Sequence, residues 1–394
     1  MFQNLLSSTA RELLPTVAGG SQVRQSAARE MVEEPEATLL VRILRGCFYP
    51  ATTDRELQEL LATVDWTQFF ALAATHHVEP LVFRYFQANP GLISPEVAAK
   101  LQFKSRAIGF RNLVLTRELV RLADLFSAAG IDLLPMKGPV VAHQVYGDVG
   151  QRQFGDLDIL VRPRQLQAAR ALLAAEGYYY QDGWSSWRQR AYEHFGHHYG
   201  YYHPQKCVYV ELHWRVMPKN VHFPIETRSF WDRLQLRPIG GAEVPCSPPE
   251  DLLLMLTAHG SRHRWERLSW VCDIAALLHA CPELDWDVVE RRARVLGAVR
   301  MLDLGLLVAS ELLGTSLPAR VIDRLRVDAV TRSLGADVRS MLFTDINFET
   351  AVGVRWRYFL RLRERVSHQL GYVVGQTENS LFWRLISSGR SAQP

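Results

Sequence analysis

Cysteine is sparse. The 394 residues hold Cys47, Cys207, Cys246, Cys272 and Cys281, an odd, scattered set without a C-x-x-C pair. This excludes a disulfide framework and the spacing of a cysteine zinc cluster, and it fits a reducing compartment. Long apolar runs are also missing. No stretch approaches the roughly 20 apolar residues that a membrane-spanning helix needs. Met1 to Gly20 carries Arg11 within a mildly apolar stretch and lacks a basic start followed by an unbroken apolar run. It does not read as a secretion signal, and a cytoplasmic protein is expected. An excess of one charge is absent too: 45 Lys and Arg against 41 Asp and Glu leave +4. That is too little to argue for nucleic acid as a partner. There is no internal repeat and no low-complexity tract.

What is present is enough for a folded core. The hydrophobic share is 48% and the charged share 22%, as in a globular protein, and the length suggests two or three units. Residues 1–36, rich in Ser, Gly, Gln and Glu, read as a flexible leader. Residues 37–128 read as a helical region, with apolar residues at helical spacing in Leu57, Leu60 and Leu61, in Phe69, Leu72 and Ala73, and along Leu113–Ala129. Gly130 is placed to end that last helix.

The pattern changes over 129–245. Short apolar runs at 131–134 and 157–161 read as strands, followed by a helix over 164–176 that stops at Gly177. Strands rich in Tyr and Val are expected at 199–203 and 208–214. Alternating strand and helix followed by consecutive strands predicts an α+β fold with a small mixed sheet. From Ser247-Pro248-Pro249-Glu250, read as a capping box, residues 246–394 are predicted to be helical.

The chemistry concentrates in one stretch: Met136-Lys137-Gly138, then Tyr146 and Arg152, then Phe154-Gly155-Asp156-Leu157-Asp158-Ile159-Leu160-Val161. Side chains alternate along a strand, so Asp156 and Asp158 share a face. Two carboxylates this close repel unless a cation sits between them, and magnesium suits one or two carboxylates plus phosphate oxygens and water. Two such ions can clamp the attacking and leaving oxygens of a phosphoryl displacement. Val208-Tyr209-Val210-Glu211-Leu212-His213-Trp214 supplies a third carboxylate, Glu211, in an otherwise apolar run where an unpaired charge would be expensive.

This set of motifs resembles the polymerase-β-like nucleotidyltransferase superfamily. It is closer still to a large, poorly characterised bacterial family of nucleotidyltransferases, whose members often occur beside peptide-modification or polysaccharide gene clusters. The likeness includes Leu172-Leu173 with Gly177-Tyr178. It extends to Asp65-Trp66 with His76-His77-Val78 and Pro80-Leu81, and to Leu256, His259, Trp265, Leu268 and Trp270 with Asp273-Ile274. It covers roughly residues 40–280.

The resemblance implies transfer of a nucleoside monophosphate from a nucleoside triphosphate, ATP among the candidates, to an acceptor that is a small molecule, peptide or protein. Asp156 and Asp158 would hold two magnesium ions, and Glu211 the one that activates the acceptor. Lys137-Gly138 stands where the superfamily usually has Gly-Ser or Gly-Gly facing phosphates at a helix start. Seventeen residues, 139–155, separate Gly138 from Asp156, more than is usual there. Arg152 within them either binds the γ-phosphate or pairs with Asp156. Lys137, Gly138, Arg152 and His259 are the nucleotide-binding candidates.

Blander readings stand beside these. His213 shares a face with Glu211 and reads as structural. His259 and His263 have metal-ligand spacing but no third ligand. His194, His197, His198 and His203 read as a polar ribbon surface, and Asp273 as a partner within the helical region. The basic, aromatic run Arg355–Arg365 reads as a packed helix with solvated arginines. The alternatives to an enzyme are a nucleotide-binding regulator without turnover and a protein-interaction component of a biosynthetic cluster.

Overall fold

A computed structural model describes residues 34–49, 55–180, 186–343 and 352–387. The expected leader lies outside the described residues up to residue 33. Its last residues do not belong to it, because Pro35 already opens a helix, with Glu36 in the first turn. Proline fits a first helical position, where its missing N–H costs nothing.

The N-terminal part is helical, as expected: α1 (Pro35–Phe48), α2 (Arg55–Thr63), α3 (Trp66–Thr75), α4 (Glu79–Ala88) and α5 (Pro95–Ala128). Asp65 caps α3 by accepting from the amides of Thr67 and Gln68. Helix α5 is twice the length that its periodicity suggests. It starts at the Ser94 cap with Pro95 in its first turn and meets no further proline before it ends ahead of Gly130, at φ +67°. Before Asn112 it buries only Leu101, while Phe103 and Phe110 stay exposed. The apolar period is therefore visible only in the half that packs.

The sheet is mixed, in the order β1 (Leu133–Pro135), β2 (Leu157–Val161), β4 (Val208–His213), β3 (His198–His203). Strand β1 runs antiparallel to β2, β2 parallel to β4, and β3 antiparallel to β4. Helix α6 (Pro139–Tyr146) lies between β1 and β2, and α7 (Leu166–Ala175) and α8 (Ser186–Phe195) lie between β2 and β3. The β2–β4 register sets Asp158 directly beside Glu211. After the short helix α9 (Arg228–Trp231), β5 (Gln235–Ile239) and β6 (Ala242–Cys246) form a hairpin that the sequence reading did not foresee. Its signal was present: Gly240 and Gly241 both take positive φ, as a two-residue hairpin turn requires. Pro238 and Pro245 within the strands obscure it. The whole is α+β.

The C-terminal part is helical: α10 (Pro249–Arg262), α11 (Leu268–Ala280), α12 (Trp286–Leu296), α13 (Val299–Leu313), α14 (Ala319–Val327), α15 (Ala329–Leu342), α16 (Val352–Arg361) and α17 (Val366–Ser387). No helix among the described residues is long and apolar enough to cross a membrane. The capping box before α10 is not formed. Pro248 is the cap residue, and the Ser247 hydroxyl is buried against the Met255 sulfur instead. The 355–365 run packs inward: Tyr358, Phe359, Leu362 and Arg363 are buried, with the Arg363 guanidinium 4.1 Å from the centre of the Tyr372 ring.

Trp265 locks this bundle. It follows α10 with φ +58° and is fully buried. Its indole fills a slot between Gly260 of α10 and Gly305 of α13, where added Cβ atoms would come within 2.6 and 2.9 Å of the ring. Backbone and a side chain with no give leave no room for a methyl group. Gly260→Ala should therefore cost roughly 1–3 kcal/mol by overpacking, read from chemical denaturation. Wild-type stability in this variant would mean that the slot is not rigid.

Candidate active site

The carboxylates converge because of the sheet, not because of sequence proximity alone. Asp158 and Glu211 are paired neighbours on β2 and β4, and both face a cavity of about 460 Å³ between the sheet and the start of the C-terminal helices. Asp158 is buried and Glu211 half-buried. His213, two residues beyond Glu211 on the same face, sets its Nε2 3.3 Å from Asp158 and 3.2 Å from Glu211. Ligand atoms of Asp158, Glu211 and His213 all lie within 4.8 Å of one another. Asp156 also lines the cavity, but it precedes β2 and its carboxylate does not join that close group. The structure thus brings together Asp158, Glu211 and His213 and keeps Asp156 slightly apart.

Charge explains the arrangement. Burial pushes the Asp158 carboxyl up, but the Lys137 ammonium and the His213 ring overcome it and hold Asp158 well below the usual carboxylate range. Burial likewise opposes ionisation of Glu211, and the His213 hydrogen bond again prevails. The His213 ring would be pushed down by burial, yet the two carboxylates keep it above its usual value. Burial first and the charge of Asp158 second push the Asp156 carboxyl up to about 6, and the more distant Lys137 and Arg152 charges do not prevail there.

Lys137 reaches Asp158 Oδ1 at 3.1 Å and His259 Nδ1 at 3.5 Å. Neither Lys137 nor His213 approaches Asp158 Oδ1 in a direction that makes a hydrogen bond, so that buried oxygen has charge neighbours but an unused lone pair. Gly138 caps α6 with φ +61° and ψ −122°, a conformation that a residue with a side chain rarely adopts. The Met136 amide donates to the Asp158 carbonyl at 3.0 Å, which pins the Lys137-Gly138 turn against β2. His259, on α10, packs against His263 and Trp270. Burial and the nearby Lys137 charge keep its ring neutral. His259 and His263 join no three-ligand cluster among the described residues.

Arg152 is committed elsewhere. Its Nε and Nη2 each donate to the Asp273 carboxylate at 2.8 Å, and the Tyr146 hydroxyl donates to the same carboxylate at 2.9 Å. Arg152 lines the cavity, but the fork that would grip a γ-phosphate holds α11 to the loop before β2. Its partner is Asp273 and not Asp156.

Sequence reasoning missed three residues. His198 pairs with His213 across β3–β4, with Nε2 3.7 Å from Glu211, and His197 is buried beside it. The expected polar ribbon surface is therefore wrong for His198, which lines the cavity, for His197, which is buried beside His198 and His213, and for His203, which is buried against Tyr178. The antiparallel register could have revealed this, since His198 and His213 must share a face once Val208–His213 and His198–His203 pair. Arg262, at the end of α10, lines the cavity and makes no ion pair or hydrogen bond among the described residues. No short motif announces it. All five cysteines are free.

The unpaired Asp156 leads to a pH prediction. Its carboxyl ionises near 4 in the unfolded chain and near 6 when folded, so folding favours the protonated form. The native state thus loses stability as pH rises from about 4 to 6 and keeps that deficit above 6. In metal-free protein Asp156→Asn should be more stable than wild type by roughly 1–2 kcal/mol at pH 7.5, allowing for solvent screening. The gain should vanish near pH 4, as read from denaturant midpoints across the range. A gain that persists at pH 4 would assign it to something other than the charge.

A sequence profile of a family described as "uncharacterised nucleotidyltransferase" matches residues 62–314, spanning the carboxylate strands and the helices that face them. No curated protein matches the chain. The match covers well over half of the molecule, and the chain belongs to this nucleotidyltransferase family.

Proposed function

We propose that the protein is a magnesium-dependent nucleotidyltransferase that moves a nucleoside monophosphate from a nucleoside triphosphate to an acceptor. The observation that carries this reading is the side-by-side pairing of Asp158 and Glu211, with Asp156 at the rim, in a cavity that also holds the Lys137-Gly138 turn. The donor set fits magnesium: oxygen ligands predominate, and the unused lone pair of Asp158 Oδ1 is buried and directed by no hydrogen bond. Asp158 and Glu211 would hold the ion, with Asp156 available to a second. Bound there, it supplies charge neutralisation of the triphosphate and activation of the acceptor oxygen.

The chain's own groups account for the rest. The Lys137 ammonium and the amides at the start of α6 meet the phosphates, a task for which a point charge and a helix N-terminus suffice. The acceptor oxygen forms a bond to the α-phosphorus. The bond from that phosphorus to the bridging oxygen breaks, its electron pair leaves with pyrophosphate, and the acceptor's proton passes to Glu211 and then to water. Arg152 contributes by position, holding α11 and the cavity wall through Asp273. In this scheme residues 129–245 carry the transfer, 246–394 close over the nucleotide and 37–128 buttress the sheet. The acceptor in this reading is a small molecule, a peptide or a protein, and the pathway a natural-product or polysaccharide one.

Binding without turnover is the second reading. The observation on its side is that Asp156 stands apart from the close ligand group. A thermal-shift series with the four nucleoside triphosphates, each with and without magnesium, tests the common core. One triphosphate should raise the melting temperature only with magnesium, by the equivalent of about 2.7 kcal/mol at a hundredfold excess over its dissociation constant. Asp158→Asn should abolish the shift while leaving the fold intact. A shift that survives in Asp158→Asn would move the site elsewhere. Pyrophosphate release then separates transfer from binding alone.

A further inference from the structure

Beyond the carboxylates lies a second cavity of about 480 Å³. It meets the first along His198, Arg262, His263 and Glu266, which line both. Its far wall comes from α16 and α17, through Arg355, Phe359 and Tyr372. These lie beyond residue 314, where the family match ends.

We propose that this cavity is the acceptor site, and that it takes a small acceptor bearing a carboxylate or phosphate on a flat, apolar body. The proposal rests on the nucleotidyl-transfer reading and deepens it. Placement is the first argument. An in-line displacement needs the acceptor oxygen on the side of the α-phosphate away from the leaving pyrophosphate. A second chamber adjoining the Glu211 side of the first meets that need: His198, on the shared boundary, sits 3.7 Å from Glu211.

Charge is the second argument. Arg264 pairs with Glu266 through Nε and Nη2, while its buried Nη1 has no hydrogen-bond partner. Arg262 and Arg355 both line the chamber, and neither has an ion pair or hydrogen bond among the described residues. Burial first pushes Arg262 below its usual value; Glu211 and Asp158 oppose this, and the Arg355 charge adds a smaller push in the same direction as burial. Two like charges facing one space are relieved by an anion between them, as the carboxylates next door are relieved by cations. Four aromatic residues also line the chamber, Tyr192, Phe195, Phe359 and Tyr372, the last two with ring centres 5.6 Å apart, beside polar groups such as Asn220 and Gln376. Such a wall suits a flat or apolar body. The volume suits a small molecule or the end of a flexible chain and excludes a folded domain. Because the far wall lies outside the matched region, the acceptor is chosen by a part of the chain that the family profile does not describe.

The test uses the full chain with phenyl phosphate and 4-hydroxybenzoate as the two anionic probes and benzyl alcohol as the neutral control, read by ligand-observed NMR. The variant is Arg355→Glu, which alters an exposed residue and leaves the core untouched. At least one anionic probe should bind wild type, bind alongside the magnesium–nucleotide complex, and lose about tenfold or more in affinity in Arg355→Glu. Benzyl alcohol should bind more weakly than either. The arm that binds distinguishes a carboxylate from a phosphate acceptor. Absence of binding by both anions, equal binding to Arg355→Glu, or displacement by nucleotide would each overturn the acceptor site and leave the nucleotide reading standing. If no triphosphate shifts the protein at all, the transfer reading fails, and the acceptor role fails with it even where the anions bind.

Discussion

Three carboxylates are drawn toward one partly buried cleft, and the surrounding structure is arranged to make that tolerable. An ionised carboxyl out of water is costly unless a cation or hydrogen-bond donors compensate it. Asp158 and Glu211 meet the requirement through the Lys137 ammonium in the β1–α6 turn and the His213 ring on β4 itself. Asp156 does not meet it, and its raised carboxyl is the residual cost. A site short of one compensating charge is what the proposed metal-dependent transfer would require.

The cleft exists only because elements distant in sequence are held in place. Arg152, Tyr146 and Asp273 tie the segment before β2 to α11 by three hydrogen bonds away from bulk water. Breaking one member of such a buried pair leaves an uncompensated charge, which makes the clamp a demanding but specific joint. On the other side Trp265 wedges α10 against α13 through two glycines, and α10 in turn presents His259 and Arg262 to the cavity. The same helix thus serves the core with one face and the ligand space with the other. The C-terminal helices add a second chamber whose charge is opposite in sign to that of the carboxylates.

The sequence by itself determined the class of fold and the identity of the acidic residues. Asp156, Asp158 and Glu211 are legible because strands alternate their faces and because a charge within an apolar run must have a partner. Gly130 and Gly177 mark helix ends because only a residue without a side chain takes positive φ cheaply. What the tertiary structure decided is who meets whom. Strand alternation puts His213 on the face of Glu211, but its contact with Asp158 and the approach of His198 and Arg262 depend on strand register and on the end of a helix far along the chain. Arg152 could be read as phosphate-binding or structural, since a guanidinium fits a phosphate and a carboxylate equally well. Its partner lies 121 residues away on α11. Periodicity and propensity act over a few residues, whereas ion pairs, registers and cavities are properties of the packed whole, and so they appear only once the chain has folded.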